Sequence, residues 1–241
     1  MTLLAILFAV AYVILLLYYL TGWIKLKTFD IESKTPEQKF SIIIPARNEE
    51  TNIQYLISDL FKQNYPNDLF EILIVDDHSE DYTAETVDKF LQQEEFSNLR
   101  LLQLRDQPSS GHGKKAAITY AVEKSINDWI ICTDADCRLN SNWLSSLAAF
   151  IDEKDPVFVS AVVVFHEERT FFEKMQSLEF MSLIGIGAAT ISHGKPTMCN
   201  GANMAFRRDV FLEVNGYAGN EHIASGDDEF LMHKMAAKYP G

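Results

Sequence analysis

Cysteine is scarce in this sequence: Cys132, Cys137 and Cys199 are the only three. An odd, scattered trio provides neither the paired framework of a small secreted protein nor the spacing of a zinc site, and it fits a reduced, cytosolic compartment. Basic charge is also short, with 21 basic against 34 acidic residues and a formal net charge of −13. Such a surface repels phosphate backbones unless a basic face is segregated from it, which excludes nucleic acid as an expected partner. There is no Walker-type loop and no dinucleotide Gly-x-Gly-x-x-Gly, so P-loop and Rossmann cofactor readings both fail. Internal repeats and low-complexity segments are absent too. What remains, 47% hydrophobic and 23% charged residues, is an ordinary globular balance with enough apolar material for a sizeable core.

The most informative absence is local. No charged side chain occurs before Lys25. Leu3 to Leu20 is apolar or aromatic throughout, and eighteen helical residues span roughly 27 Å, close to a hydrocarbon core. Thr21 and Gly22 end the run, Trp23 suits the interface, and Lys25 and Lys27 follow. By the positive-inside rule this predicts a single membrane anchor over 1–24 with everything downstream cytoplasmic. A cleaved signal peptide is the alternative, but a basic n-region and a small-residue cleavage site are both missing. Residues 25–39, with Ser33, Thr35 and Pro36, read as a tether, and 40–241 as one catalytic domain.

Within that domain, β-branched runs alternate with helical periodicity. Phe40 to Pro45, Phe70 to Val75, Leu99 to Leu104 and Trp129 to Thr133 read as strands, with a further strand at Val157 to Phe165. Ile53, Leu56, Ile57, Leu60 and Phe61 form one apolar helical stripe that Thr51 is placed to cap. Val87, Phe90 and Leu91, Lys114 to Ser125, and Trp143 to Phe150 mark the next helices. This βαβαβαβ order predicts an α/β fold with a parallel sheet covered on both faces, whose ligand lies at the carboxyl ends of the strands. Phe171 to Ile191 is mainly apolar and reads as either a core helix or one lying in a membrane interface.

Three acidic clusters stand out: Asp76-Asp77, Asp134-Ala-Asp136 and Asp227-Asp228. The first two follow predicted parallel strands and should converge on one sheet edge, where their repulsion calls for something positive between them. Carboxylate oxygens without a His or Cys set favour Mg²⁺ or Mn²⁺, ions usually shared with substrate phosphates. The alternative is that these aspartates cap turns and helices. Gly111-His-Gly113-Lys114-Lys115 opens a helix and can bind phosphate through backbone N–H groups and charge, or it is an ordinary loop with a solvated lysine pair. His78, His112, His166, His193, His222 and His233 show no metal-ligand spacing.

Taken in order, Ile42-Ile-Ile-Pro-Ala-Arg-Asn-Glu49, Ile74-Val-Asp-Asp-His-Ser-Glu-Asp-Tyr-Thr83, Gly113-Lys-Lys-Ala-Ala117, Thr133-Asp-Ala-Asp-Cys137, Asn200-Gly-Ala-Asn-Met-Ala-Phe-Arg207 and Ser225-Gly-Asp-Asp-Glu-Phe-Leu231 resemble the ordered motifs of family 2 glycosyltransferases. The resemblance runs from Phe40 to about Lys238. It implies a GT-A fold, a nucleotide-binding α/β/α sandwich with a mostly parallel sheet, together with a nucleotide-sugar donor, Mn²⁺ or Mg²⁺, and inversion at the anomeric carbon.

Carried over to these positions, it implies that Pro45, Ala46, Arg47 and Glu49 line the nucleotide pocket. Asp77 would read the base or ribose, with Asp76 beside it, and Lys114 would approach the diphosphate. Asp134 and Asp136 would form the metal motif, Asp136 as the direct ligand. Asn200, Gly201 and Asn203 would border sugar and acceptor, and Asp228, with Asp227 adjoining, would be the general base. The implied acceptor, given the anchor, is lipid-linked or polysaccharide. A nucleotidyltransferase, or a non-catalytic nucleotide-sugar-binding membrane subunit, would use similar residues. Relatives of this type generally continue past the helix that here reaches Pro240-Gly241, so either a fragment of a longer protein or an incomplete acceptor site is expected.

Overall fold

The computed structural model describes residues 2–26, 37–106, 111–220, 223 and 225–240. Most of the expected tether, 27–36, lies outside them. The first helix, α1, spans Thr2–Lys25 and is exposed along almost its whole length. It covers Thr21 and Gly22 and runs on to Lys25, and its C-terminal end packs on a second long helix. Gly22 is the contact point. A Cβ on it would lie 2.5 Å from the carbonyl oxygen of Ala189, so only a glycine lets the two helices approach this closely.

The domain is built on six strands: β1 Phe40–Ala46, β2 Phe70–Asp76, β3 Leu99–Gln103, β4 Trp129–Cys132, β5 Phe158–Ser160 and β6 Met204–Arg207. Their order in the sheet is β3-β2-β1-β4-β6-β5. The first four run parallel, and β6 is antiparallel to both of its neighbours. Helices α2 Ile53–Leu60, α3 Thr83–Leu91 and α5 Trp143–Lys154 supply the core on one face of the sheet. On the other face stand α4 Lys114–Lys124, α7 Arg208–Glu213 and α8 Asp227–Lys238. The strand side chains divide accordingly. Phe40, Ile42 and Ile44 enter one core and Ile43 the other, since successive residues of a strand point to opposite faces. That double burial is why β1 and β2 are apolar with almost no alternation.

Three local expectations change. The first turn of α2 is held by backbone: the N–H groups of Asn52 and Ile53 both donate to the Glu49 carbonyl, each at 3.0 Å. Thr51 does not cap it; Asn52 stands at the cap position without a side-chain cap bond. The strand expected over Val157 to Phe165 pairs only at Phe158–Ser160, because its partner β6 is four residues long. Beyond it the Val162 carbonyl is taken by the Asn203 side-chain amide at 2.9 Å. The reversed strand β6 itself was hidden in a polar motif.

The long apolar helix α6, Phe171–Ser192, starts with a capping box. Thr170 Oγ1 accepts from the Glu173 N–H, and Glu173 Oε2 accepts from the Thr170 N–H. Its C-terminal end docks on α1: Ser192 Oγ donates to the Gly22 carbonyl at 2.7 Å, and the Tyr18 and His193 rings stack at 4.4 Å. Its N-terminal half leaves Phe171, Phe172, Met175 and Leu178 exposed.

Candidate active site

The carboxyl ends of β1, β2 and β4 form the floor of the site. Strand β2 ends in Asp76, fully buried, whose carboxylate accepts from Arg105 Nη2 and the Ser79 N–H, each at 3.3 Å. Asp76 therefore braces the floor. Asp77 follows, its N–H donating to the Ala46 carbonyl at 2.8 Å, and its Oδ2 accepts the Gly113 N–H at 2.9 Å. That bond joins the end of β2 to the start of α4, and Gly113, at φ 87°, supplies the left-handed turn it requires.

The next residue, Lys114, reaches across the floor. Its Nζ lies 2.6 Å from Asp134 Oδ1, beyond β4, and 3.8 Å from Asp227 Oδ2, at the start of α8. Burial pulls the ammonium down, but Asp134 and Asp227 outweigh it and hold Lys114 above its usual value. Asp228 accepts two backbone N–H groups, Gly201 to Oδ2 at 2.8 Å and Glu229 to Oδ1 at 2.9 Å. A continuous run of contacts thus links Asp77, Gly113, Lys114, Asp134, Asp227, Asp228 and Gly201. Burial, and then the charge of Asp228, push the Asp227 carboxyl upward against the pull of Lys114. Asp227 Oδ2 is buried without a hydrogen bond.

The remaining expected residues sit around this line. Pro45 is half-buried, Ala46 buried and Arg47 exposed on the rim. Glu49 accepts from Asn52 Nδ2 at 2.8 Å, and its N–H donates to Thr83 Oγ1 at 2.7 Å, locking the loop after β1 to the loop after β2. Asp134, Asp136, Asn200 and Asn203 line a cleft of about 470 Å³ whose far wall is Val164 and Phe180. Both ends of the Asn203 amide are engaged within the protein: Oδ1 accepts from Trp143 Nε1 at 3.0 Å, and Nδ2 donates to Val162.

A divalent ion would suit this donor set. Asp136 is exposed in the cleft and has no hydrogen-bond or ion-pair partner among the described residues, and its neighbour Asp134 is shared with only one lysine. Carboxylate oxygens open to a cleft are what a hard cation takes. All three thiols are pushed up by burial, which keeps Cys132, Cys137 and Cys199 protonated and out of nucleophilic chemistry.

Three features escaped the sequence. Lys115, open to reading as half of a solvated pair, is 8% exposed, and its Nζ donates to the carbonyls of Asn220, Ile223 and Ser225 at 3.0, 2.7 and 3.2 Å. It ties α4 to the loop that delivers Asp227 and Asp228. Arg138 forks onto Asp59 at 2.6 and 3.1 Å, fixing the loop after Asp136. Although the six histidines show no metal-ligand spacing in sequence, His78 and His112 lie with Asp77 in one group whose ligand atoms are within 4.8 Å of one another. Neither the Lys114-Lys115 pair nor the Asp77-His78 pair carried a signal, because their further partners, the loop before α8 and His112, lie more than 30 residues away in the chain.

The mixed, mostly parallel six-stranded sheet with helices on both faces is a GT-A fold, as the structural similarity below shows. The chain belongs to glycosyl transferase family 2, whose model matches residues 41–214. It is similar to the poly(ribitol-phosphate) β-N-acetylglucosaminyltransferase TarS of Staphylococcus aureus, 36% identical over 115 residues, 48% of this chain and 19% of that one. In structure it is similar to the mannosyltransferase PcManGT of Pyrobaculum calidifontis, in complex with GDP-Man and Mn²⁺, with TM-score 0.69, 22% identity, and 91% and 59% of the two chains covered. TarS residues 1–349 in complex with UDP-GlcNAc give TM-score 0.58 at 25% identity, over 83% of this chain and 53% of that one. The chain thus spans less than two thirds of the length of each of these proteins.

Proposed function

We propose that this protein transfers a sugar, with inversion, from a nucleotide-sugar donor to a lipid-linked or polysaccharide acceptor at the cytoplasmic face of a membrane. The observation that carries this reading is Lys114 held between Asp134 and Asp227, with Asp228 beside them on the Gly201 N–H. One cation there pairs with two carboxylates, one from the loop after β4 and one from the start of α8, and a third carboxylate adjoins them.

In this reading Pro45, Ala46, Arg47 and Glu49 line the nucleotide pocket and Asp77 contacts base or ribose. Lys114 exchanges a carboxylate for the donor diphosphate. Asp136 and Asp134 would hold Mn²⁺ or Mg²⁺, which supplies Lewis-acid stabilisation of the departing diphosphate. Asp228 takes the proton of the acceptor hydroxyl as that oxygen attacks the anomeric carbon, since a hydroxyl is a poor nucleophile at neutral pH. The two N–H groups on Asp228 hold its carboxylate in place for that transfer. Asn200 and Gly201 border the sugar and acceptor, and Asn203 shapes that wall.

Nucleotide-sugar complexes of similar proteins support the donor class, and α1 supports the membrane. Among the described residues it is the one helix long and apolar enough to cross a bilayer. Its docking on α6 would set the exposed apolar half of α6 beside the same bilayer, close to the cleft. The test is a donor screen with purified full-length protein and Mn²⁺, following nucleoside diphosphate release with and without lipid extract. Asp228→Asn should abolish transfer while leaving donor binding nearly intact, and Asp136→Asn should weaken Mn²⁺-dependent donor binding. Pyrophosphate release, or normal turnover by Asp228→Asn, would refute the reading.

A further inference from the structure

We propose that Asp77, His78 and His112 form a site for a borderline divalent cation such as Zn²⁺, distinct from the Asp134–Asp136 pair, and that filling it excludes the donor nucleotide. The exclusion rests on the proposed role of Asp77; the site itself does not.

The ligands come from two loops. Asp77 and His78 follow β2, and His112 precedes α4. His78 has φ 59°, a left-handed conformation that histidine adopts more readily than most non-glycine residues, and its Nδ1 lies 3.0 Å from Asp77 Oδ1. The His112 ring meets it edge-on at 4.7 Å between centroids. Among the described residues His112 has no hydrogen-bond partner, so its nitrogens are available.

Zn²⁺ takes imidazole nitrogen and carboxylate oxygen at about 2.0–2.2 Å, which places tetrahedral ligand atoms about 3.3 Å apart. The Asp77–His78 separation already matches. The ligand atoms all lie within 4.8 Å of one another, so the widest spacing closes by at most roughly 1.5 Å to reach that geometry. His112 is the exposed member, and it stands between Gly111 and Gly113, at φ 77° and 87°. A Cβ at either glycine would meet nothing within 4 Å, so this backbone has room to turn. Three protein ligands leave one position open, the arrangement of an accessible zinc site. Two imidazoles also separate this group from the all-carboxylate pair, because nitrogen donors favour zinc over Mg²⁺ and Mn²⁺.

Coordination would draw Asp77 toward the ion and away from the Gly113 N–H, pulling the start of α4 with it. A nucleotide that uses Asp77 could not bind at the same time. The experiment is titration of Zn²⁺ alone into untagged full-length protein, wild type and His112→Ala, by calorimetry. Co²⁺ serves as a spectroscopic substitute.

The expected result is one site whose affinity falls at least about tenfold in His112→Ala, the lower end of what losing even an outer partner costs. The tetrahedral Co²⁺ band should disappear in the variant. Equal Zn²⁺ affinity in the two proteins overturns the site. Nucleoside diphosphate binding is then measured with and without Zn²⁺. Chelation in solution is common to both proteins, so a loss confined to wild type supports exclusion, and an equal loss in both overturns it. The metal-only titration stands whether or not the transferase reading does.

Discussion

Replacing Lys115 with methionine tests whether the architecture around Asp227 and Asp228 depends on one buried cation. Methionine keeps most of the chain length and removes three hydrogen bonds, of 3.0, 2.7 and 3.2 Å, to the carbonyls of Asn220, Ile223 and Ser225. Hydrogen bonds to a charged group contribute about 1.5–3 kcal/mol each, but that sum overstates the loss. Removing the ammonium also removes the cost of holding it out of water. Ile223 and Ser225 are exposed, so their carbonyls can rehydrate, whereas Asn220 is 5% exposed. One carbonyl left unpaired costs about 1–3 kcal/mol.

For a chain of this size that corresponds to a fall in Tm of about 2–12 °C, read by thermal unfolding in detergent. Turnover should fall by about 10–100-fold, because the loop leads into Asp228, the proposed base, and a shift of about 1 Å is that costly in a preorganised site. Donor KM should change little, since the proposed donor contact is made by Lys114, whose partner is Asp134, whereas Lys115 reaches the loop before α8. A Lys115→Met protein with wild-type Tm and wild-type kcat would refute this account.

Gly201→Ala should lower turnover by at least about tenfold, or about 1.4 kcal/mol, with little change in Tm. The new Cβ would lie 3.0 Å from Lys114 Nζ and 3.3 Å from the Asp228 Cβ; turnover like wild type would show that Lys114 yields freely. Asp227→Asn should stabilise the fold more at pH 7 than near pH 4. Burial raises the folded carboxyl above its unfolded value, so both states are protonated at low pH and the penalty develops only as pH rises through that window. A stability difference independent of pH, measured by thermal melts across pH 4–7, would contradict it. Asp59→Asn should loosen the loop carrying Asp136, where Arg138 and the Leu139 N–H hold the carboxylate below its usual range despite burial. Weaker Mn²⁺-dependent donor binding with intact Asp136 is the expected reading, checked by calorimetry.

Much of the frame was legible because it repeats. Phe40–Ala46 and Phe70–Asp76 are buried at nearly every position, so their unbroken apolar runs announced parallel strands, and the stripe from Ile53 to Leu60 announced the helix between them. Strand β6 gave no such signal. Its four residues pair antiparallel between β4 and β5, and four residues are too few for any period to show. The cap of α2 also misled: Thr51 has the right chemistry, but the helix starts one residue later, with Asn52 at the cap position and the Ile53 N–H already bonded to the Glu49 carbonyl.

The sequence by itself determined the alternation of strand and helix, the apolar first helix, and which carboxylates end which strands, because each depends on residues that are neighbours in the chain. Only the tertiary structure decided how those carboxylates meet. It placed Lys114 against Asp134 and Asp227, sank Lys115 beneath the loop before α8, and gathered Asp77 with His78 and His112. Contacts of that kind form between segments tens of residues apart. Their partners are chosen by where the strands end in space, and no local pattern encodes that.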